Sequence, residues 1–285
     1  MLPICLGTTL PSFDYDAREA ATTSCGDFLI RTGLVSVSFR SLKPREIIAL
    51  VAKARLDAIE WGGDIHVTPR DLANAGEVRE ATLEAGLSIS SYGSYYRLAE
   101  RQSSFEPVLE TAMALGAPTI RVWAGGLGSA EARPEYFDAA ADELTDISHQ
   151  AGKAGLAIAL ELHAGTLTDS IESTCRLIDR TSHLGTTCYW QPPHHQSLTE
   201  RLAGIRRLGK RISNIHVFHW IQDSAGEHSR QPLSGAATDW RSIFDTLSQL
   251  AGDRFALLEF VRNDDPDQFL ADARTLKELL QSAEP

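Results

Sequence analysis

The feature that most constrains this chain is an alternation, repeated eight times from Leu34 onward, of a short apolar or β-branched run with a longer stretch of helical period. That pattern yields parallel strands joined by crossover helices. The strand runs are Leu34 to Phe39, Ala58 to Trp61, Ser88 to Tyr92, Thr119 to Trp123, Ala157 to Leu162, Thr186 to Gln191, Ile212 to Phe218 and Phe255 to Phe260. They recur about every 30 residues, the length of a βα unit. Amphipathic segments such as Arg45 to Arg55, Leu72 to Ala85, Phe105 to Leu115, Ala132 to Ala154 and Trp240 to Leu250 lie between them. Pro44, Thr68-Pro69 and Asp264-Asp265-Pro266 supply helix-start signals.

Eight such units predict an α/β fold of the (β/α)8 barrel type. A doubly wound open sheet is the competing architecture, but no GxGxxG follows the first strand. The length of 285 residues suits one barrel, and no low-complexity tract or long linker divides it. Residues 34–285 are therefore read as a single domain and residues 1–33 as an N-terminal extension outside the repeat. A lid, a cap on the barrel floor and a disordered tail are all compatible with that extension.

The formal net charge of −11 opposes any role that depends on neutralising nucleic-acid phosphates. Apolar runs such as Phe255 to Phe260 are far too short to span a membrane, and the N-terminus lacks the basic and long apolar regions of an export signal. Cys5, Cys25, Cys175 and Cys188 are widely spaced, without metal or disulfide spacing. The expectation is a soluble cytoplasmic protein with reduced thiols, no nucleic-acid partner and no membrane partner.

In such barrels the reactive groups gather at the C-terminal ends of the strands. Seven histidines fall there or shortly after (His66, His163, His194, His195, His216, His219 and His228), whereas His149 and His183 lie in helical stretches. Trp61, Trp123, Trp190 and Trp220 also stand at strand ends, and Tyr92, Tyr95 and Tyr96 follow the third strand. Aromatic faces stack on the C–H faces of sugars while N–H and O–H groups bond hydroxyls, so this lining points to a small polyhydroxylated substrate.

The carboxylates give a sharper signal. Glu161 and Glu259 end the fifth and eighth strands, each inside an otherwise apolar run, where an unpartnered carboxylate would be costly. A basic side chain, a proton or a metal would satisfy them, and with His216 at the end of strand seven one divalent metal serves all three. Strand six offers Gln191 and His194 as the further ligand. An oxygen-rich set favours Mn²⁺, Mg²⁺ or Co²⁺, with Zn²⁺ as the alternative.

These residues resemble the xylose isomerase-like TIM-barrel superfamily, the sugar phosphate isomerases and epimerases, over roughly residues 34 to 282. Ala58-Ile59-Glu60-Trp61 looks like the second strand of that family, Leu160-Glu161-Leu162-His163 like the fifth, Ile215-His216-Val217-Phe218-His219 like the seventh and Leu257-Leu258-Glu259-Phe260 like the eighth. The resemblance implies a metal held by Glu, Asp, His and Glu, which carries over to Glu161, His216 and Glu259. The family Asp is replaced by Gln191, followed by Pro192-Pro193-His194, so the strand-six ligand is inferred by position. An Asp three residues after the metal His is His219 here, and Arg230 matches a substrate-contacting Arg.

The implied activity is that of a metal-dependent isomerase or epimerase on a sugar, sugar acid or sugar phosphate, acting through an enediolate. Glu161 and Glu259 would be both ligands and proton carriers, and Trp61, His66, Tyr92, Trp123, His163, His194, His219 and Arg230 would contact substrate. A lyase or dehydratase on the same metal platform is the first alternative. An endonuclease IV-like nuclease, which needs three metals and a basic groove, and a non-catalytic binding barrel are the others. Homo-oligomers are the default for such barrels.

Overall fold

The computed structural model describes residues 29–281, apart from 101–103, 194 and 225. The expectations for His194, Cys5, Cys25 and residues 1–28 therefore lie outside the described residues. Eight parallel strands close into a barrel: β1 (Ile30–Val35), β2 (Ala58–Gly62), β3 (Ser88–Arg97), β4 (Thr119–Trp123), β5 (Ala157–Glu161), β6 (Thr187–Trp190), β7 (Ile212–Val217) and β10 (Arg254–Leu258). Closure is made by β1 against β10, from Ile30 opposite Arg254 to Leu34 opposite Leu258. β8 (Trp220–Gln222) and β9 (His228–Arg230) form a separate antiparallel hairpin after β7.

The first strand begins at Ile30, four residues before the expected Leu34, so part of the expected extension belongs to the barrel. The polar residues Arg31 and Thr32 hid it: Thr32 is held by Asp57, whose carboxylate accepts from both its N–H and its hydroxyl at 2.7 Å. The apolar residues beyond Val35 do not extend the strand. Ser36–Phe39 is a 3₁₀ turn, because Phe39 packs edge-on against Phe269 of α8 (Pro266–Gln281) at 5.6 Å, outside the barrel.

Eight helices surround the barrel, the others being α1 (Pro44–Ala54), α2 (Leu72–Glu84), α3 (Glu106–Leu115), α4 (Pro134–Lys153), α5 (Ile171–Arg180), α6 (Leu198–Leu208) and α7 (Ala237–Leu247). Their starts follow local chemistry. In α6, Ser197 and Glu200 bond each other's backbone N–H reciprocally, and α1, α3, α4 and α8 each carry Pro in the first turn. No helix among the described residues is long and apolar enough to cross a membrane. Cys175 and Cys188 are buried free thiols.

Side chains alternate across each strand, so the sheet has two cores. Outward residues such as Ile59, Trp61, Leu160 and Ile215 meet the helices in one large cluster. Inward residues Val35, Ala58, Ala159, Tyr189, Phe255 and Leu257 fill the barrel as a smaller one. Gly33 is small because β1 and β2 approach closely: a Cβ there would lie 2.6 Å from Leu257 Cδ2 and 2.7 Å from the Ala58 carbonyl.

Candidate active site

Above the inner apolar layer, the inward positions become charged. β2 supplies Glu60, β4 Arg121 and Trp123, β5 Glu161 and β7 His216, while Gln191 and Glu259 lie one residue beyond β6 and β10. Glu60, Arg121, Glu161, His216 and Glu259 are all buried. Arg121 stands between two carboxylates, with Nε donating to Glu60 Oε1 at 2.8 Å and Nη1 to Glu161 Oε2. Trp123 Nε1 donates to that same Glu161 oxygen at 2.5 Å, and Ser91 Oγ to Glu60 Oε2 at 2.8 Å. Gly93 leaves room for the ion pair, since a Cβ there would meet Arg121 Nη2 at 2.6 Å and Glu60 Oε1 at 2.8 Å.

His216 is the hub of the cluster. Its Nδ1 lies 3.3 Å from Glu259 Oε2, 3.5 Å from Glu161 Oε1 and 3.4 Å from Gln191 Oε1, while Nε2 faces Glu60 Oε2 at 3.6 Å. The Gln191 amide is oriented by Nε2, which donates to the Leu162 carbonyl at 2.6 Å and so turns Oε1 toward His216. Glu259 Oε2 is buried without a well-directed hydrogen bond. Both oxygens of Glu161, in contrast, face donors.

The electrostatics follow this geometry. Burial pushes the Glu60 carboxyl up, but Arg121 and then His216 outweigh it and bring its pKa to about 2. Burial likewise opposes ionisation of Glu161, and Arg121 again overrides it, holding Glu161 well below the usual carboxylate range. At Glu259 burial dominates, with His216 opposing it and Glu161 reinforcing it, so this carboxyl is raised to about 7. Burial would lower His216, yet Glu259, Glu161 and Glu60 raise it to about 10. Three carboxylates against one guanidinium leave two negative charges, which favour a proton on the imidazole or a divalent cation beside it.

A cavity of about 790 Å³ opens above this cluster. Trp123, His163, Gln191, Arg230 and Glu259 line it, as do Tyr95 and Trp220 of the expected aromatic lining and Phe260, which the sequence did not point to. Trp61, His66 and Tyr92 do not, and strand alternation explains the two ring residues of β2 and β3. Trp61 follows inward Glu60 and Tyr92 follows inward Ser91, so both point to the helices, where the Tyr92 hydroxyl donates to the Val67 carbonyl at 2.8 Å. His66 is buried with Nδ1 2.9 Å from Ser36 Oγ. His219 turns into a neighbouring groove, with Nδ1 3.0 Å from the Pro232 carbonyl. Arg230 reaches the cavity while paired with Asp264 at 2.5 Å.

Glu60 and Arg121 are the charged residues that sequence reasoning passed over as site residues. Both carried the signal that marked Glu161 and Glu259, a lone charge within an apolar strand. Among the described residues no three His, Cys, Asp or Glu side chains stand as a ready-formed metal cage, for Glu60 and Glu161 are closed on Arg121 and Glu259 faces His216.

With the closed eight-stranded barrel and its charged mouth established, the family follows. The model of the xylose isomerase-like TIM barrel family matches residues 48–279, and the chain belongs to that family. Solved structures share the fold at low identity. The probable 3-DHS dehydratase AsbF of Bacillus anthracis aligns with a TM-score of 0.74 and 19% identity over 87% of this chain and 99% of its own. An L-ribulose 3-epimerase aligns with a TM-score of 0.63 and 16% identity, covering 90% of this chain and 96% of its own. A xylose isomerase-like TIM barrel protein from Mycobacterium smegmatis, in complex with magnesium, gives 0.63 and 15% over 89% and 97%. No curated protein sequence matches the chain significantly.

Proposed function

We propose that this chain is a divalent metal-dependent enzyme that enolises a small polyhydroxylated carbonyl compound and completes an isomerisation. The observation that carries the reading is the convergence of three oxygens, from Glu161, Gln191 and Glu259, on His216 Nδ1 at 3.3–3.5 Å. Two carboxylates, an amide oxygen and an imidazole drawn this close would hold a divalent cation between them. Glu259 Oε2, buried without a directed hydrogen bond, stands 3.3 Å from the His216 ring, and Glu60 lies 3.6 Å from Nε2, on the side of the ring where a metal-ligating imidazole ordinarily finds a carboxylate. The residues therefore fit a divalent ion, with Mn²⁺, Mg²⁺ or Co²⁺ suited to the oxygen-rich set. Such an ion, when bound, polarises the carbonyl and hydroxyl oxygens of a substrate and acidifies the C–H between them.

The chain's own residues then divide the labour unequally. Glu161 was expected to share proton transfer with Glu259, but Arg121 and Trp123 hold it as an anion. Glu259, whose Oε2 makes no directed hydrogen bond, opens onto the cavity and takes the base role, accepting the C–H proton, exchanging it with solvent and delivering a proton to the neighbouring carbon while the O–H proton shifts between the two oxygens. One base serves an aldose–ketose isomerisation on one face of an enediol, whereas epimerisation requires a proton carrier on each face. The same single base supports loss of a β-hydroxyl, and the structural likeness to a probable dehydratase makes that lyase reaction the second reading.

The test is solvent deuterium incorporation by the Mn²⁺-supplemented protein on a panel of ketoses, keto acids and sugar phosphates, with products read by mass spectrometry. Isomerisation predicts exchange with conservation of formula, and dehydration predicts loss of water. Glu259→Gln should abolish exchange in either case; exchange that survives this substitution contradicts the assigned base.

A further inference from the structure

The cavity is larger and more aromatic than enolisation of a simple sugar requires. A hexose has roughly a dozen heavy atoms; even at the ~30 Å³ share of a water molecule for each, it would fill about half of the space. The cavity measures about 790 Å³, within the range of sites that enclose much larger ligands. Its walls are aromatic on two sides. Tyr95, Trp123 and His163 come from β3, β4 and the end of β5, with Trp123 stacked on His163 at 4.5 Å and tilted against Tyr95 at 5.6 Å. Phe218 and Phe260 follow the ends of β7 and β10 and Trp220 opens β8, with ring centroids 4.6–5.4 Å apart.

The order of strands puts Tyr95 and Trp123 across the barrel mouth from Phe218 and Phe260, since β7 is diametrically opposite β3 and β10 opposite β4. The rings also differ from four large aromatics beneath and outside the barrel mouth. Trp61, Trp190, Trp240 and Tyr92 are fully buried, whereas Tyr95, Trp123, His163, Trp220 and Phe260 are half-buried and line the cavity. Tyr95 and Phe260 are moreover held at φ of +59° and +52°. That left-handed conformation is costly for an aromatic residue and persists where the surrounding structure enforces it, often at ligand clamps.

We infer that the substrate carries a planar aromatic or conjugated ring, clasped between the Tyr95–His163 wall and the Trp220–Phe260 wall, in addition to the polyhydroxylated part that reaches Glu259. The assignment of the reacting end rests on the function proposed above; the aryl clamp does not. Calorimetric titration of the whole protein with matched para-nitrophenyl and methyl β-glycosides of glucose, galactose and xylose tests the clamp by binding alone. At least one aryl member should bind about tenfold tighter than its methyl partner, as stacking on two walls implies. Phe260→Leu and Trp220→Leu, which keep apolar bulk and are checked for unchanged melting, should bring that aryl affinity toward the methyl value. Equal affinities throughout, no binding by any aryl member, or an aryl preference that survives both substitutions overturns the inference. A preserved aryl preference with no deuterium exchange would instead remove the enolisation reading and leave the clamp standing.

Discussion

Arg121 keeps its charge where 2% of its side-chain surface reaches solvent, between Glu60 and Glu161. Removing one partner from a buried, fully bonded charge cluster leaves the others uncompensated, so Arg121→Leu should cost about 3–5 kcal/mol, measured by urea unfolding. Arg121→Lys should rescue it poorly, because an ammonium lacks the planar fork that serves both carboxylates. Glu60 adds a pH dependence. Its folded pKa of about 2 lies below the ordinary 4.5, so its contribution is present above pH 4.5 and is lost as pH falls toward 2. That limb amounts to roughly 3 kcal/mol at about 1.4 kcal/mol per pH unit. Glu60→Gln should flatten it; an unchanged acid limb would show that the pair does not govern acid stability.

The element that sets this cluster most tightly is β3, which passes Arg121 and Glu60 at Gly93. Gly93→Ala should push the ion pair apart and lower stability by about 1–3 kcal/mol, as overpacking does, with a matching fall in melting temperature. If the alanine variant melts like wild type, the close approach is not constraining. Strand parity also explains what the sequence disclosed. Glu161, His216 and Glu259 were legible because each breaks an apolar run. Trp61 and Tyr92 were misassigned by counting strand-end aromatics without period two, which sends a residue adjacent to an inward one toward the helices. β1 was misplaced for another reason: Arg31 and Thr32 look like loop residues until Asp57 and Phe255 are beside them.

At the scale of the whole molecule, the eightfold repeat specified the barrel, since each βα unit can bury its two faces only between a ring of helices and a shared interior. The site was half legible. Its candidate ligand types could be named from strand ends, but the guanidinium that bonds two carboxylates acts across the barrel, between residues 60, 121 and 161, which no local pattern joins. The hairpin β8–β9, which brings Trp220 and Arg230 to the cavity, was likewise hidden in the long segment after β7.

The central claim is that Glu161, Gln191, His216 and Glu259 hold a divalent ion, and metal content after expression with Mn²⁺ tests it most directly. Inductively coupled plasma mass spectrometry on purified wild type, Glu161→Gln and His216→Ala, each shown to be folded by its melting transition, should find about one ion per chain in wild type and a loss in both variants. Wild-type protein that retains no metal after Mn²⁺ and Co²⁺ are offered would contradict the account.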